Sequence, residues 1–417
     1  MTPPAVSVNK LLSRVTSTGE FIPQIDGLRF LAMFMVVTVH LFGMYLVQTH
    51  RLGVTALPRD WPSLTAHSRL AIWVGHLAFG VQLFFVISGF VLMLPFARAF
   101  LKAAPPPSTG LYLLRRLIRL EPPYVLSLVL LFSFLILPWH QAAPLAYLHS
   151  HFRAFFPHLL ASVVYLHWAI YGGASWINGI AWTLEVEVQF YLLVPLLANL
   201  FRIRSTALRR SILVLLILTT ALLAQFAFPP LHSARLSLTI ALQMQFFLAG
   251  LLVVDVYLIP PRVLVPGWRI ADALAILTAV MLAFVVQAAP RFAWTEPFLI
   301  AGFYCGAIWG PWLSKLFSLP ILTTLGGMSY TTYLYHVFLM DKMLPFTVKL
   351  FPPRHALWLD TTIQLLVIIA PLLAISAILF LATEKPFMIL SRRITRRLGA
   401  KRNVESVALA PSISNSI

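Results

Sequence analysis

One cysteine, Cys305, stands in 417 residues, so the chain has no internal disulfide and no thiolate cluster to hold zinc or an iron–sulfur group. It sits in an apolar run, where its plain reading is a small core residue. Charge is equally scarce: Asp, Glu, Lys and Arg make up 11% of the chain against 59% hydrophobic residues, and the mean hydropathy is +0.86. That balance excludes a soluble globular protein, and the chain is too long for a lone membrane anchor. Acidic residues number 13 against 31 Lys plus Arg, a formal net charge of +18. In so apolar a chain a basic excess records membrane topology and contact with anionic lipid, and no nucleic-acid partner is expected. A cleavable signal peptide is not legible, because some two dozen polar residues precede the first apolar run and that run carries its own charges. Internal repeats of the kind found in many transporters are missing too.

What is present is a series of apolar windows about 20 residues long, the length that crosses ~30 Å of hydrocarbon. They fall near 25–48, 71–96, 122–138, 182–201, 211–228, 237–258, 270–288, 296–313, 321–344 and 360–382. The stretch HLLASVVYLHWAI, 158–170, is shorter and reads as a short span or a re-entrant piece. If it does not cross and the N-terminus is cytoplasmic, most of the 31 Lys and Arg lie inside. If it crosses, the basic runs at 115–119 and 202–210 fall on opposite sides, against the positive-inside rule. The expected fold is an all-α integral membrane protein of about ten transmembrane helices with both termini cytoplasmic. Its parts are a cytoplasmic N-terminal segment, 1–22, a transmembrane domain, 23–388, and a tail, 389–417, basic and then disordered.

Ionisable residues inside such windows are expensive, so they mark candidate sites. In QIDGLRFLAMFMVVTVHLFG, 24–43, Arg29 and His40 are 11 residues apart, about 20° past three full helical turns and roughly 16 Å along the axis. They share a face with Asp26, one turn below Arg29. His40 is either a satisfied structural histidine or a general base. In LLRRLIRLEPPY, Arg115, Arg116 and Arg119 precede a spanning helix opened by Pro122 and Pro123. The spacing of three puts Arg116 and Arg119 on one face, suited to phosphate or to lipid headgroups. In WTLEVEVQFYLL, Glu185 and Glu187 are about 200° apart on a helix, so only one of them lines any given cavity. GVQLFFVISGFVL and GGMSYTTYLYHVFLM place Gln82, Ser88, Ser329, Tyr330, Tyr335 and His336 in apolar surroundings, where helix packing is the default use. GFYCGAIWG reads as close helix contact. His140, His149, His151, His158 and His167 lack Cys or carboxylate companions at ligand spacing, and no metal is expected.

Taken in order, these motifs resemble the membrane-bound acyltransferase-3 family, whose members O-acylate carbohydrates and related hydroxylated molecules. The resemblance is carried by IDGLRFLAMFMVVTVH, GVQLFFVISGFVL, RRLIRLEPPY, WTLEVEVQFYLL, SYTTYLYHV and the terminal EKPF, spanning 24 to about 387. It implies ten helices and an acyl-CoA donor, with acetyl-CoA the first choice, on the cytoplasmic side. It also implies an acceptor, a carbohydrate or glycolipid, reached from the other side. By position it implies that His40 is the catalytic histidine, Arg29 its motif partner and Glu187 the family's carboxylate. Arg115, Arg116 and Arg119 become donor-binding, and Asp26, Ser88, Glu185, Tyr330 and His336 supporting residues. No bound cofactor is implied, and the setting is a bacterial inner (cytoplasmic) membrane with its lipids. Gln82 and Val188 depart from the pattern, standing where acidic residues are common. The chain resembles the stand-alone type, without a C-terminal esterase-like domain. The competing expectation is a transporter or lipid flippase in which the Asp26, Arg29, His40 line conducts protons or binds an anionic substrate.

Overall fold

The computed structural model describes residues 12–14, 21–49, 74–75, 77–137, 144–227, 236, 238–261, 269–288 and 290–408. Most of the segment 1–22, His140 and residues 409–417 lie outside it. Helix is the only regular structure among the described residues. The first half contains α1 (Pro23–Gln48), α2 (Gly80–Leu101), α3 (Thr109–Ile136), α4 (Pro144–Val163), α5 (His167–Tyr171), α6 (Trp182–Leu197) and α7 (Thr206–Leu222). The second holds α8 (Met244–Leu258), α9 (Arg269–Ala288), α10 (Glu296–Trp309), α11 (Leu313–Phe317), α12 (Pro320–Gly327), α13 (Ser329–Leu350), α14 (Leu357–Leu379) and α15 (Lys385–Ala408). Among the described residues, six helical stretches are long and apolar enough to cross a membrane: Pro23–Gln48, Leu77–Leu101, Thr109–Ile136, Gly179–Arg202, Thr206–Phe226 and Leu357–Thr395. Met244–Leu258 and Ile270–Val285 are shorter apolar helices, and the protein is an integral membrane protein.

Two expectations are revised in detail. Pro122 and Pro123 do not open a helix; α3 begins at Thr109 and carries both inside it, so Arg115, Arg116 and Arg119 sit on the same rigid helix as the span. A helix tolerates such prolines where neighbouring elements support the backbone they leave unbonded. The window 321–344 is two helices, α12 and α13, meeting at Met328. The helix α15 that follows is joined to α14 through a π-helical turn, Phe380–Glu384.

α1 lies at the centre, packed against α2, α11, α12 and α13. Its approach to the α11 and α12 backbones is closer than any side chain allows. A Cβ on Gly326 would come within 1.7 Å of the Asp26 carbonyl oxygen, and one on Gly27 within 2.0 Å of the Phe317 oxygen. The α2–α8 crossing is made the same way, with Gly89 against the Phe247 backbone and Gly250 against Val86. Small residues at such crossings let backbones meet without a driving force from water. Arg209 and Arg210 of α7 close on the buried Asp255 carboxylate of α8. The glycines at 302, 306 and 310 meet Thr278, Ala271 and Asp272, seating α10 on α9 as the spacing predicts.

Candidate active site

The polar line of α1 forms as its periodicity demands. Asp26 is 2% exposed and accepts from Arg29 Nη1 at 2.6 Å and from Arg14 Nη1 at 3.0 Å. One carboxylate thus serves two guanidiniums, one from its own helix and one from the segment before it. Buried charge is tolerated only when paired in this way.

Arg29 also faces a cavity of about 110 Å³. Around it stand Ser88 from α2, Arg116 and Arg119 from α3, Glu187 and Tyr191 from α6, Tyr330 and Tyr333 from α13, and Glu384 from the π-helical turn. Arg116 and Arg119 share one face of α3 and line a second cavity as well, of about 440 Å³, together with Arg14, Asp26, Arg98, Tyr112 and Arg115. The two arginines therefore form the wall between two spaces. The acidic groups nearby are already engaged. Ser88 Oγ donates to Glu187 Oε1 at 2.6 Å, and the Tyr191 hydroxyl bonds the same carboxylate. Thr331 Oγ1 donates to Glu384 Oε2 at 2.6 Å. Arg119 Nε is buried without a hydrogen-bond partner among the described residues. Arg116 rests over the Tyr191 ring, 5.9 Å from its centroid. The larger cavity sets Arg14, Arg98, Arg115, Arg116 and Arg119 against Asp26, a balance that favours a polyanion.

His40 and His336 do not line that cavity. They meet one layer further along α1, with ring centroids 5.0 Å apart at 71°. His40 Nδ1 lies 2.8 Å from the Val36 carbonyl oxygen, and His336 Nδ1 lies 2.7 Å from the Tyr333 carbonyl oxygen. A carbonyl only accepts, so each neutral ring carries its proton on Nδ1 and leaves Nε2 as a base. His336 Nε2 then faces the His40 Nδ1–H at 3.4 Å, leaving His40 Nε2 as the free base. Tyr333 connects the layers: it lines the cavity, and its ring is 5.6 Å from that of His336.

The two glutamates of α6 part company as the helix period predicts. Glu187 faces the cavity, whereas Glu185 is 1% exposed and accepts from the backbone N–H of Trp168 at 3.2 Å. It holds the start of α5 and takes no part in the cavity. Beside it, His167 Nδ1 donates to the Gly173 carbonyl at 2.9 Å, and His158 Nδ1 donates to His167 Nε2 at 2.9 Å. Burial lowers both imidazoles from their ordinary range, the second imidazole adding to the effect on His158. The pair is structural, with His158 stacked on Trp176 and tilted against Tyr171. Among the described residues no three His, Cys, Asp or Glu side chains form a group able to hold a metal.

A family profile described as an acyltransferase domain, that of the acyltransferase-3 proteins, matches residues 22–381. The chain belongs to the acyltransferase-3 family. No curated protein and no solved structure matches it. In this acyltransferase-3 chain Arg29, Ser88, Arg116, Arg119, Glu187 and Tyr330 converge on one cavity, whereas His40 pairs with His336 beyond it. Arg115 lines the larger cavity only, and Asp26 reaches the smaller one through Arg29. Sequence reading missed Glu384, Tyr191 and Tyr333 as site residues. Glu384 was accessible to the logic that singled out Asp26, a lone carboxylate in an apolar run. The two tyrosines carry no such mark.

Proposed function

We propose that the protein is a membrane O-acyltransferase that moves an acyl group, acetyl first among them, from cytoplasmic acyl-CoA to a hydroxyl of a carbohydrate or glycolipid. The observation that carries this reading is the convergence of Arg29, Arg116 and Arg119 on a cavity that also holds Ser88 and Glu187. The donor's phosphates lie in the larger cavity against Arg115, Arg116 and Arg119, and its thioester points past the last two into the smaller one. The acceptor arrives from the extracytoplasmic side. His40 Nε2, the nitrogen left free by the Val36 bond, removes its proton. The Asp26 pairing fixes Arg29 so that its remaining donors face the donor's acyl end. Ten crossings, cytoplasmic termini and a bacterial inner membrane complete the reading, supported by the distribution of basic residues.

Thermal shift of detergent-purified protein with acetyl-CoA and longer acyl-CoAs tests it. Saturable stabilisation in the wild type, lost in an Arg116→Ala, Arg119→Ala double variant, is expected. Folded wild type that no acyl-CoA stabilises and that consumes none would sink the reading.

A further inference from the structure

We propose that Ser88 is an acyl carrier, the nucleophile that takes the acyl group from the donor thioester as an ester before the acceptor hydroxyl receives it. The inference rests on the acyltransferase reading above and adds to it the group that first holds the acyl chain.

Ser88 Oγ is 2.6 Å from Glu187 Oε1, and both residues are half-buried and line the cavity that holds Arg29, Arg116 and Arg119. A hydroxyl already donating to a carboxylate, in a space fit for an activated acyl group, is a nucleophile with its base in place. His40 is not in this space. It is reached through Tyr333 and His336, so the donor-side arginines and the base for the acceptor belong to different layers of the bundle. A single displacement needs both reactants and His40 around one carbonyl carbon. An ester on Ser88 lets CoA leave before the acceptor enters, so the cavity of about 110 Å³ need not hold both reactants at once. The serine is also held still: the next residue, Gly89, packs its Cα face onto the Phe247 carbonyl and Gly250, where an added Cβ would lie 2.2 Å from Phe247 O. From α6, Glu187 is steadied by the Tyr191 hydroxyl. Negative charge developing on the thioester oxygen meets Arg29, Arg116 and the unpartnered Arg119 Nε, preorganised donors of the kind that stabilise an oxyanion.

The steps balance. In the first, Ser88 Oγ attacks the thioester carbonyl carbon and its proton passes to Glu187; the C–S bond breaks, and CoA leaves as a thiolate that is protonated by cytoplasmic water. In the second, the acceptor hydroxyl attacks the Ser88 ester and gives its proton to His40. The C–Oγ bond breaks, Glu187 returns its proton to Oγ, and His40 releases the acceptor's proton to water.

The test incubates purified protein with radiolabelled acetyl-CoA in the absence of acceptor, denatures it in acid, and maps the label by peptide mass spectrometry. One acetyl group on Ser88 is expected, with a burst of free CoA. Ser88→Ala should lose both and fall at least about 10³-fold in turnover, while still showing the acetyl-CoA thermal shift that reports a folded donor site. Ser88→Cys should carry the group as a thioester removed by neutral hydroxylamine. Glu187→Gln should slow labelling by about 10² to 10⁴-fold, and His40→Ala should label normally but fail to discharge. Turnover in Ser88→Ala at the wild-type rate, or label on any other residue, would overturn the proposal and leave the acyltransferase reading standing. Wild-type protein that consumes no acyl-CoA would remove that reading, and the carrier with it.

Discussion

His40 gains its chemical character from two neighbours that are not charged. The Val36 carbonyl fixes the proton on Nδ1, and His336 Nε2 approaches that same proton from α13. When Nε2 accepts a proton the ring becomes a cation, and an acceptor at Nδ1 then strengthens as a charge-assisted hydrogen bond, worth about 1.5 to 3 kcal/mol. Substituting His336 by Met, which has similar length and no strong acceptor, is therefore expected to lower kcat by about tenfold or more with KM unchanged, while His336→Gln keeps most of it. The check is the kcat and KM of both variants for acyl transfer. A deeper loss, about 10² to 10⁴-fold, is expected for His40→Ala with the donor's thermal shift retained. A second contrast isolates the two glutamates of α6. Glu185→Gln alters only the hold on α5 and should change the unfolding temperature slightly and donor binding not at all, whereas Glu187→Gln should lower turnover by about 10² to 10⁴-fold; a turnover assay beside a thermal melt of each variant decides it.

Among the elements, α1 decides most of the site's geometry. It carries Asp26, Arg29 and His40, and its backbone is pressed onto α11 and α12 at Gly27 and Gly326. Gly326→Ala is expected to force α1 and α12 apart, with a loss of about 3 kcal/mol or more of the kind seen on overpacking, and to weaken donor binding because Arg29 shifts with the helix. Thermal unfolding together with acetyl-CoA titration reads both effects. Much of this was legible in the primary structure. Pairs three residues apart, Asp26 with Arg29 and Arg116 with Arg119, share a face because the helical period requires it, and Glu185 and Glu187 separate for the same reason. What stayed hidden depends on long-range packing. Tyr333 joins the histidine pair to the cavity only because α13 lies beside α1 and α6, and no local pattern records that neighbour. The prolines of α3 and the break at Met328 misled the reading of boundaries, since local rules for helix ends bend where adjoining helices support the backbone.

For the molecule as a whole, the scarcity of cysteine provides a direct topological assay. Cys305 is the one cysteine and is buried, so Cys305→Ser yields a blank background. Ala104→Cys and Gly173→Cys should then react with an impermeant maleimide from opposite faces of the membrane, Ala104 from the cytoplasm. Labelling of both from one side would contradict the ten-crossing arrangement. The inner cavity has a volume of about 110 Å³ and is lined by Tyr333 and Phe84, whose rings meet edge to face at 6.0 Å. Under the transfer across the membrane proposed above, the bundle must not short-circuit a proton gradient. Tyr333 lines that cavity and its ring lies 5.6 Å from that of His336, so the bundle is expected to behave as an insulator. Proteoliposomes containing the wild type should hold an imposed proton gradient as long as empty vesicles do, and Phe84→Ala should let it decay.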